Sequence, residues 1–174
     1  MELTDAINLI SNNSMYQQAN AVWADLGCGS GLFSYALANI LPPGSTIYAV
    51  DKSNITLTKR SNPKNNLILQ QQLDFLKDEL HLLDMDGILM ANSIHFVEYK
   101  MALIHKLSKS MKEGSSFLIV EYDTDMPNRW VPFPVSFSSL KKLFEAAGYS
   151  QVKKHNERPS AFRASPIYSA FISR

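Results

Sequence analysis

Glycine is scarce and unevenly distributed in this chain: of seven glycines in 174 residues, Gly27, Gly29 and Gly31 lie within five positions. Apolar residues at 21–26 predict a buried strand before this cluster. Apolar residues recur at helical spacing over 32–41 after it, and a Pro-Pro-Gly sequence then predicts the end of that helix. Glycines between a strand and a helix let the backbone approach a ligand and turn amide groups toward it. The cluster is therefore the first candidate for a binding loop.

The remaining sequence continues the alternation of short apolar strands with helical segments. This alternation predicts an α/β fold: a doubly wound, mostly parallel sheet with helices on both faces. The last two strands are expected to be antiparallel additions, because too few residues separate them for a helical crossover. Predicted strands cover residues 21–26, 45–50, 67–71, 88–91, 116–121, 149–154 and 167–172, and predicted helices cover residues 32–41, 55–61, 75–83, 100–112 and 138–147.

Length and composition exclude several classes of protein. A chain of 174 residues with 45% hydrophobic residues suits one domain with a real core, here taken as residues 1–174 with a short helical extension over 1–20. A net charge of +1 argues against nucleic-acid binding by bulk charge. One cysteine and four scattered histidines predict neither a disulfide framework nor a metal site. The absence of a long apolar run or a leader-like N-terminus predicts a soluble, cytoplasmic protein without membrane contact.

The glycine loop does not have the spacing of a dinucleotide or Walker loop. A Gly-x-Gly-x-x-Gly pattern would place its third glycine at Leu32 or Ser34. Asp51 ends the second predicted strand, at the distance from Gly29 where an acid accepts hydrogen bonds from a ribose diol. Asp74 follows the third strand and can accept from an exocyclic amine such as that of adenine. These positions predict a nucleoside lying across the strand ends.

Five stretches together resemble the class I S-adenosylmethionine-dependent methyltransferases, in order and spacing over about residues 20–174. They are residues 22–31, with the Asp-x-Gly-x-Gly-x-Gly loop, and residues 47–53, 73–75, 86–96 and 117–121. The resemblance implies S-adenosyl-L-methionine as cofactor. The residues it implies for cofactor binding are Asp25, Gly27, Cys28, Gly29, Gly31, Asp51, Lys52, Asp74, Phe75 and Asn92.

The resemblance also implies separate roles for these residues. Asp25 supports the loop and reaches the cofactor's ammonium through water, and Asn92 or the carbonyl beside it approaches the methionine end. Asp51 binds the ribose hydroxyls, and the alkyl stem of Lys52 covers the adenine. Asp74 and the Phe75 backbone bind the adenine edge. Plainer alternatives stay open: Asp25 as a loop cap, Asp51 and Asp74 as surface turn acids, and Cys28 as a small loop residue without nucleophilic character.

Residues beyond the cofactor loop are candidates for the chemistry and the acceptor. Methyl transfer from a sulfonium is an in-line displacement that needs alignment more than a catalytic constellation. His95 follows the fourth strand and is a candidate base or orienting group, with a loop histidine as the alternative. Arg129 and Trp130 lie on a long, proline-rich loop over 122–134 and are candidates for acceptor contact. The equally open alternative is a surface strap that packs Trp130 on the sheet.

The favoured function is a small-molecule methyltransferase with no metal. The alternatives are an RNA or protein methyltransferase and a cofactor-binding protein without activity. The eight basic and two acidic residues of 126–174 suit an RNA or another anionic substrate, although a solvated polar face is the favoured explanation for them. The absence of an Asn-Pro-Pro-Tyr type motif at 92–95 disfavours a nucleic-acid substrate. The sequence pattern names neither the acceptor atom nor an oligomeric state.

Overall fold

A computed structural model provides the structure of the chain and describes residues 1–12, 19–54, 56–160 and 165–174. The described helices are α1 (Leu3–Ile10), α2 (Leu32–Ile40), α3 (Lys100–Ser108) and α4 (Phe137–Ala146), with a 3-10 turn at Ile94–Phe96. The strands are β1 (Val22–Leu26), β2 (Thr46–Asp51), β3 (Leu67–Gln72), β4 (Met85–Ala91), β5 (Met111–Tyr122), β6 (Gln151–Arg158) and β7 (Ile167–Ser173).

All seven strands form one sheet in the order β3-β2-β1-β4-β5-β7-β6. Strands β3, β2, β1, β4 and β5 are parallel to one another, whereas β7 is antiparallel to both β5 and β6. The strand order reverses between β1 and β4, and ligands of such sheets bind at the carboxyl ends beside that reversal. The predicted fold class is confirmed.

Two apolar layers cover the sheet, one on each face. Helices α1 and α2 pack on the face that buries Trp23, Ile47 and Leu89. Helices α3 and α4 pack on the opposite face, around Ile88 and Phe117. Every residue of β4 is buried, which is expected of a central parallel strand with helices on both sides. Trp23 is therefore a core residue.

Two predicted helices are absent. The helix predicted over 55–61 is wrong for residues 56–61, and Ile55 lies outside the described residues. Thr58 donates its amide to Ser30 on the glycine loop, so this segment runs along the loop without coiling. The helix predicted over 75–83 is only a turn. The carboxylates of Asp74 and Asp78 accept from nearby backbone amides there, and such bonds compete with a helix.

Other boundaries differ from prediction by a few residues. The helix predicted over 100–112 ends at Ser108, and β5 begins at Met111, before the predicted residue 116. The register between β4 and β5 shifts after the Met85–Met111 pair, so a bulge joins an early extension to the predicted strand. The N-terminal extension contains the expected helix as α1, and residues 13–18 of that extension lie outside the described residues.

We predict that Gly87→Ala destabilises the fold. A Cβ atom at this position would lie 2.3 Å from Cζ2 of Trp23, and both residues are inside the sheet layer. Overpacking of this kind lowers the free energy of unfolding by about 1–3 kcal/mol, measurable by urea denaturation. The double variant Gly87→Ala/Trp23→Phe should recover part of the loss, because the smaller ring makes room. Equal stability of Gly87→Ala and the wild type would contradict the assigned packing.

Candidate cofactor and acceptor site

A pocket of about 210 Å³ opens at the carboxyl ends of the parallel strands. Its walls come from the segments that follow β1, β2, β3 and β4, which meet at one sheet edge because the strands are parallel. Six of the residues predicted from sequence line it: Gly27, Asp51, Lys52, Asp74, Phe75 and Asn92. Leu76, Ser93 and Phe96 also line it and were not predicted. Ser93 and Phe96 lie in the stretch 86–96 that carries the family resemblance, so the sequence contained a signal for both.

Backbone hydrogen bonds fix the glycine loop over the end of β2. The amides of Gly27 and Cys28 both donate to the carbonyl oxygen of Val50, at 2.8 and 3.0 Å. Gly27 has a φ of +80°, and a Cβ there would lie 2.6 Å from Cβ of Ser93. Gly29 has a φ of +49°, and a Cβ there would meet no described protein atom within 4 Å. The loop therefore needs glycine at position 27 for packing and presents position 29 to open space.

Asp51 joins the glycine loop to the end of β2. Its Oδ2 accepts from the Gly29 amide at 3.0 Å, and its Oδ1 accepts from the Ser53 amide at 2.9 Å. A carboxylate has about four lone-pair positions, so two amides leave acceptor capacity for a diol. The half-buried side chain is thus held in one orientation at the pocket wall.

Asp25 is the next-to-last residue of β1, and its side chain is buried. Its Oδ2 accepts from the Ser34 hydroxyl at 2.6 Å, whereas its Oδ1 has no hydrogen-bond partner among the described residues. Burial raises the pKa of Asp25 to about 7, the charge of Asp51 adds to the rise, and the Ser34 hydrogen bond opposes it. An unpaired buried carboxylate oxygen is costly unless a donor from a ligand satisfies it.

Asn92, which lines the pocket, supplies a second unsatisfied acceptor. It follows β4, the neighbour of β1, and its buried Oδ1 also has no partner among the described residues. Its φ of +53° is the left-handed conformation that asparagine tolerates better than most residues. Two unpaired oxygens at adjacent strand ends fit a cationic group with several N–H donors, such as an ammonium. The residues present therefore fit the methionine end of the implied cofactor.

The residues predicted for the adenine lie at the outer side of the pocket. Asp74 Oδ1 accepts from the Leu76 amide at 3.1 Å, so a local turn orients its carboxylate. The Phe75 ring is 9% exposed, and its carbonyl accepts from the Lys106 ammonium at 3.0 Å. Lys52 is exposed at the pocket wall. The Phe75 carbonyl is therefore engaged outside the pocket-lining set, by a lysine of α3.

Cys28 has the environment of a small structural residue. The side chain is 8% exposed, and burial together with the Asp25 and Asp51 charges raises the pKa of its thiol to about 12. The thiol is protonated at neutral pH, and a protonated thiol is a poor nucleophile. This agrees with the plainer alternative for Cys28. Gly31, just before α2, has a φ of +82°, and a Cβ there would lie 2.9 Å from Cδ2 of Leu57.

His95 is buried and paired with an acid that the sequence did not single out. Its ring Nδ1 lies 2.9 Å from both carboxylate oxygens of Glu121, and its backbone amide donates to the same group at 3.3 Å. His95 is 3% exposed and Glu121 is fully buried at the end of β5. The histidine is not among the residues that line the pocket, although its neighbour Phe96 is. Glu121 directly follows the apolar residues 117–120, and this position is the sequence signal that could have identified it.

The loop after β5 is attached to the pocket wall through Phe133. The Phe133 amide donates to the carbonyl of His95 at 3.0 Å, and the Lys100 ammonium donates to the Phe133 carbonyl at 2.7 Å. Arg129 and Trp130 lie in a tight turn of this loop, with the guanidinium 5.4 Å from the ring centroid. Trp130 is 72% exposed, so the strap alternative, in which it packs on the sheet, is wrong.

The described part of the chain has neither a metal-ligand cluster nor a membrane-spanning helix. No group of three or more His, Cys, Asp and Glu side chains there could hold a metal ion. None of the described helices is both long and apolar enough to cross a membrane.

Comparison with known proteins identifies the family. The sequence profile described as a methyltransferase domain matches residues 24–117, more than half of the chain. No curated protein matches the chain. YcgJ from Bacillus subtilis has a similar structure, with a TM-score of 0.69, 11% identity, and coverage of 98% of this chain and 99% of that one.

Two other solved structures have the same fold. Magnesium protoporphyrin IX methyltransferase from Synechocystis, solved with bound S-adenosylmethionine, has a TM-score of 0.66 and 15% identity, over 99% of this chain and 78% of that one. A Nostoc punctiforme structure has a TM-score of 0.65 and 15% identity over 97% of this chain, which spans 56% of the length of that protein. The profile match shows that the chain belongs to the methyltransferase-domain family.

Proposed function

We propose that this protein transfers the methyl group of S-adenosylmethionine to a small-molecule acceptor. One observation carries the proposal: a pocket at the reversal of the strand order has a fixed acid for a ribose, and the ends of the two strands that flank the reversal carry buried oxygens, of Asp25 and Asn92, without a partner among the described residues. Buried acceptors without a partner are not expected in a loop with only a structural role, because each one destabilises the fold in the absence of a ligand.

The proposed cofactor contacts follow from the polarity of the pocket. Asp51 takes the ribose hydroxyls with the lone pairs that Gly29 and Ser53 leave open. Asp25 and Asn92 take the ammonium, directly or through water. Asp74 and the Phe75 amide take the adenine edge, and the stem of Lys52 covers the ring. The bound cofactor supplies an electrophilic methyl group, so the chain has to align an acceptor and exclude water.

The acceptor side of the proposal rests on exposed apolar side chains. Six of them fall in three segments of the chain, at 76, 96–99 and 126–133; Leu76 and Phe96 line the pocket, and the Phe133 amide donates to the carbonyl of the residue before Phe96. Exposed apolar surface concentrated at one place marks a binding surface. We therefore expect the acceptor to present an apolar or aromatic face to this surface. The six side chains are Leu76, Phe96, Tyr99, Met126, Trp130 and Phe133.

His95 serves this proposal best as a positioning residue. Its ring is bound to Glu121 and its carbonyl to Phe133, so one residue ties the pocket wall to the acceptor loop. With a proton on Nδ1 donated to Glu121, the remaining ring nitrogen Nε2 is the atom that could take a proton. A base role at Nε2 stays a prediction.

The basic C-terminal region gives weaker support to an RNA acceptor. Lys154 is paired with Asp123 and Glu157 at 2.8 and 2.7 Å, and Arg158 is paired with Asp5 at 2.9 Å. Bases neutralised within the fold contribute little to phosphate binding. A small-molecule acceptor is thus favoured over RNA or protein.

The proposal is tested by two measurements on purified protein. Native mass spectrometry should detect co-purified S-adenosylmethionine or S-adenosylhomocysteine. Formation of S-adenosylhomocysteine should then be measured with a small-metabolite extract, a total RNA pool and a denatured protein pool. Turnover only with RNA or protein would replace the acceptor proposed here, and cofactor binding without turnover on any pool would indicate a binding protein.

We predict that Asp51→Ala weakens S-adenosylmethionine binding. Hydrogen bonds to a charged acceptor contribute about 1.5–3 kcal/mol, which corresponds to roughly ten- to a hundredfold in affinity. Titration calorimetry measures the change directly. Glu145→Ala removes an exposed acid on α4 and is the matched control, with unchanged affinity expected. Equal affinity of Asp51→Ala and the wild type would remove Asp51 from the cofactor site.

Asp25 predicts a pH dependence of cofactor binding. Its pKa is raised to about 7 in the free protein, so below that pH the side chain must lose a proton before it can accept from an ammonium. Between pH of about 7.5 and 5.5 the affinity should fall about tenfold or more. The Asp25→Asn variant should bind S-adenosylmethionine more weakly than the wild type, and its affinity should not change with pH over this range. An equally steep profile in that variant would assign the titration to another group.

Protonation of Asp25 also changes the stability of the cofactor-free protein, in the direction opposite to its effect on cofactor affinity. The folded-state pKa of Asp25 lies above its ordinary value of 3.8, so the folded chain binds the proton more tightly than the unfolded chain. The contribution of Asp25 therefore stabilises the cofactor-free fold as the pH falls from about 7 toward about 4.

We predict that Arg129→Ala/Trp130→Ala affects turnover and not cofactor binding. Both side chains lie in the exposed turn, so cofactor affinity should stay within about threefold of the wild type, below roughly 1 kcal/mol. Methyl transfer to an identified acceptor should fall about tenfold or more, or about 1.4 kcal/mol of barrier. The melting temperature should not change, because Trp130 is 72% exposed. Normal turnover in the folded variant would exclude this turn from the acceptor site.

A further inference from the structure

Glu121 is a fully buried acid near the end of β5, and its carboxylate forms no ion pair with a described lysine or arginine. Instead it accepts from three N–H groups. Nδ1 of His95 lies 2.9 Å from both oxygens, the His95 amide donates to Oε1 at 3.3 Å, and the Tyr122 amide donates to Oε2 at 3.3 Å. Its register partner on β7, Tyr168, donates its hydroxyl to the Val135 carbonyl. A buried carboxylate needs such partners, so His95 is the side chain on which Glu121 depends.

These donors decide which nitrogen of the His95 ring carries a proton. Backbone amides can only donate, and the two amides bind different oxygens of the Glu121 carboxylate. Both oxygens therefore act as acceptors, and a ring nitrogen 2.9 Å from both of them must donate as well. The arrangement fixes the proton of a neutral ring on Nδ1 and leaves Nε2 as an acceptor. Nε2 has no hydrogen-bond partner among the described residues.

The His95 ring packs against one wall of the cofactor pocket. Its centroid lies 4.3 Å from that of the Phe96 ring, and the two planes are tilted by 54°. Phe96 lines the pocket and is 55% exposed, whereas the His95 side chain is 4% exposed. An exposed ring in contact with a fixed, buried ring has fewer orientations open to it. The orientation of His95 therefore affects the surface that Phe96 presents to an acceptor.

The backbone of His95 holds the loop after β5 beside the same wall. Its carbonyl accepts from the Phe133 amide at 3.0 Å. The Phe133 carbonyl accepts from the Lys100 ammonium at 2.7 Å. Two segments with exposed apolar side chains, one on each side of this contact, are thus joined through His95 and Lys100. Since Glu121 accepts from both the amide and the ring of His95, it fixes this junction from β5.

We propose that Glu121 is a positioning residue for methyl transfer: it sets the ring proton of His95 and, through His95, the relative position of the pocket wall and the loop after β5. The inference rests on the function proposed above. Glu121 does not line the pocket, so it acts on the acceptor through another residue. Its hydrogen bonds reach no predicted cofactor-binding residue, so cofactor binding should be independent of it.

The protonation of His95 tests the first step in the wild-type protein. Nitrogen NMR of the histidine rings distinguishes a protonated from an unprotonated ring nitrogen, and it needs neither cofactor nor acceptor. Single replacements of the three exposed histidines, His81, His105 and His155, assign their signals and leave that of His95. At a pH of about 8, above the ordinary titration range of histidine, we expect a proton on Nδ1 of His95 and none on Nε2. A proton on Nε2 would overturn the proposal.

The variant Glu121→Gln tests whether the acid controls the ring. The amide replaces one acceptor oxygen with a donor, so the His95 ring should lose its single protonation state. Glu145→Gln changes an exposed acid on α4 and is the matched control, with His95 signals as in the wild type. Unchanged His95 signals in Glu121→Gln would contradict the assigned role. The wild-type measurement does not depend on how well this variant folds.

Hydrogen exchange tests whether Glu121 also holds the loop. In Glu121→Gln, the Phe133 amide should exchange with solvent about tenfold faster or more, because its acceptor is the His95 carbonyl. The amides of Gly27 and Cys28 should exchange as in the wild type, since they are bound to β2. Equal acceleration of all three amides would indicate only a less stable fold and would overturn the positioning role.

Turnover separates positioning from cofactor binding. Formation of S-adenosylhomocysteine with the small-metabolite extract should fall about tenfold or more in Glu121→Gln. The affinity for S-adenosylmethionine, measured by calorimetry, should stay within about threefold of the wild type. In a His95→Gln background the same change should add little, because a residue that acts through His95 has no effect once His95 is replaced.

The outcomes distinguish this inference from the function on which it rests. Additive losses of turnover in the double variant would contradict the role of Glu121, as would equal losses of turnover and cofactor affinity. A wild type without turnover on any pool would instead contradict the proposed function. The NMR and exchange measurements would then still decide whether Glu121 positions His95 and the loop after β5.

Discussion

The carbonyl oxygen of Val50 accepts from two consecutive amides of the glycine loop, and the site depends on this arrangement. It fixes the turn between β1 and α2 directly over the end of β2. The loop can take this path only with left-handed residues, and Gly27 has no room for a Cβ against Ser93. Because β1 and β2 are parallel, the same geometry places Asp51 where the Gly29 amide can reach it. One backbone acceptor thus sets the relative position of the loop and the acid.

The sequence contains enough information to place the pocket residues at one sheet edge because the signals there are local. Clustered glycines, apolar strands and a polar residue after each strand can be recognised one segment at a time. The parallel sheet then brings Gly27, Asp51, Asp74 and Asn92 to one edge without further information. The pairing of His95 with Glu121 could not be predicted in this way, since 26 residues separate them and only the β4–β5 register brings them together.

The two absent helices show where apolar periodicity fails to predict local structure. Apolar residues over 75–83 have nearly helical spacing, but Asp74 and Asp78 bond the backbone locally and stop the helix after a turn. At 56–61 the chain is instead attached to the glycine loop, through Thr58 and Arg60. In both cases a specific polar contact outweighs a weak periodic preference, which amounts to only a fraction of a kcal/mol per residue.

The buried Asp25 lowers the stability of the free protein, which a residue with only a structural role would not be expected to do. Its carboxylate has one hydroxyl partner and one unpaired oxygen, and burial raises its pKa to about 7, so its ionised form destabilises the free protein. A ligand that donates to that oxygen binds the folded chain only, and such a ligand stabilises the fold by an amount that grows with the logarithm of its concentration divided by its dissociation constant. In the proposed site, an ammonium that donates to this oxygen recovers the free energy lost by leaving the acceptor open. In that proposal the same carboxylate links the stability of the glycine loop to occupancy of the site, which an apolar side chain at this position would not do.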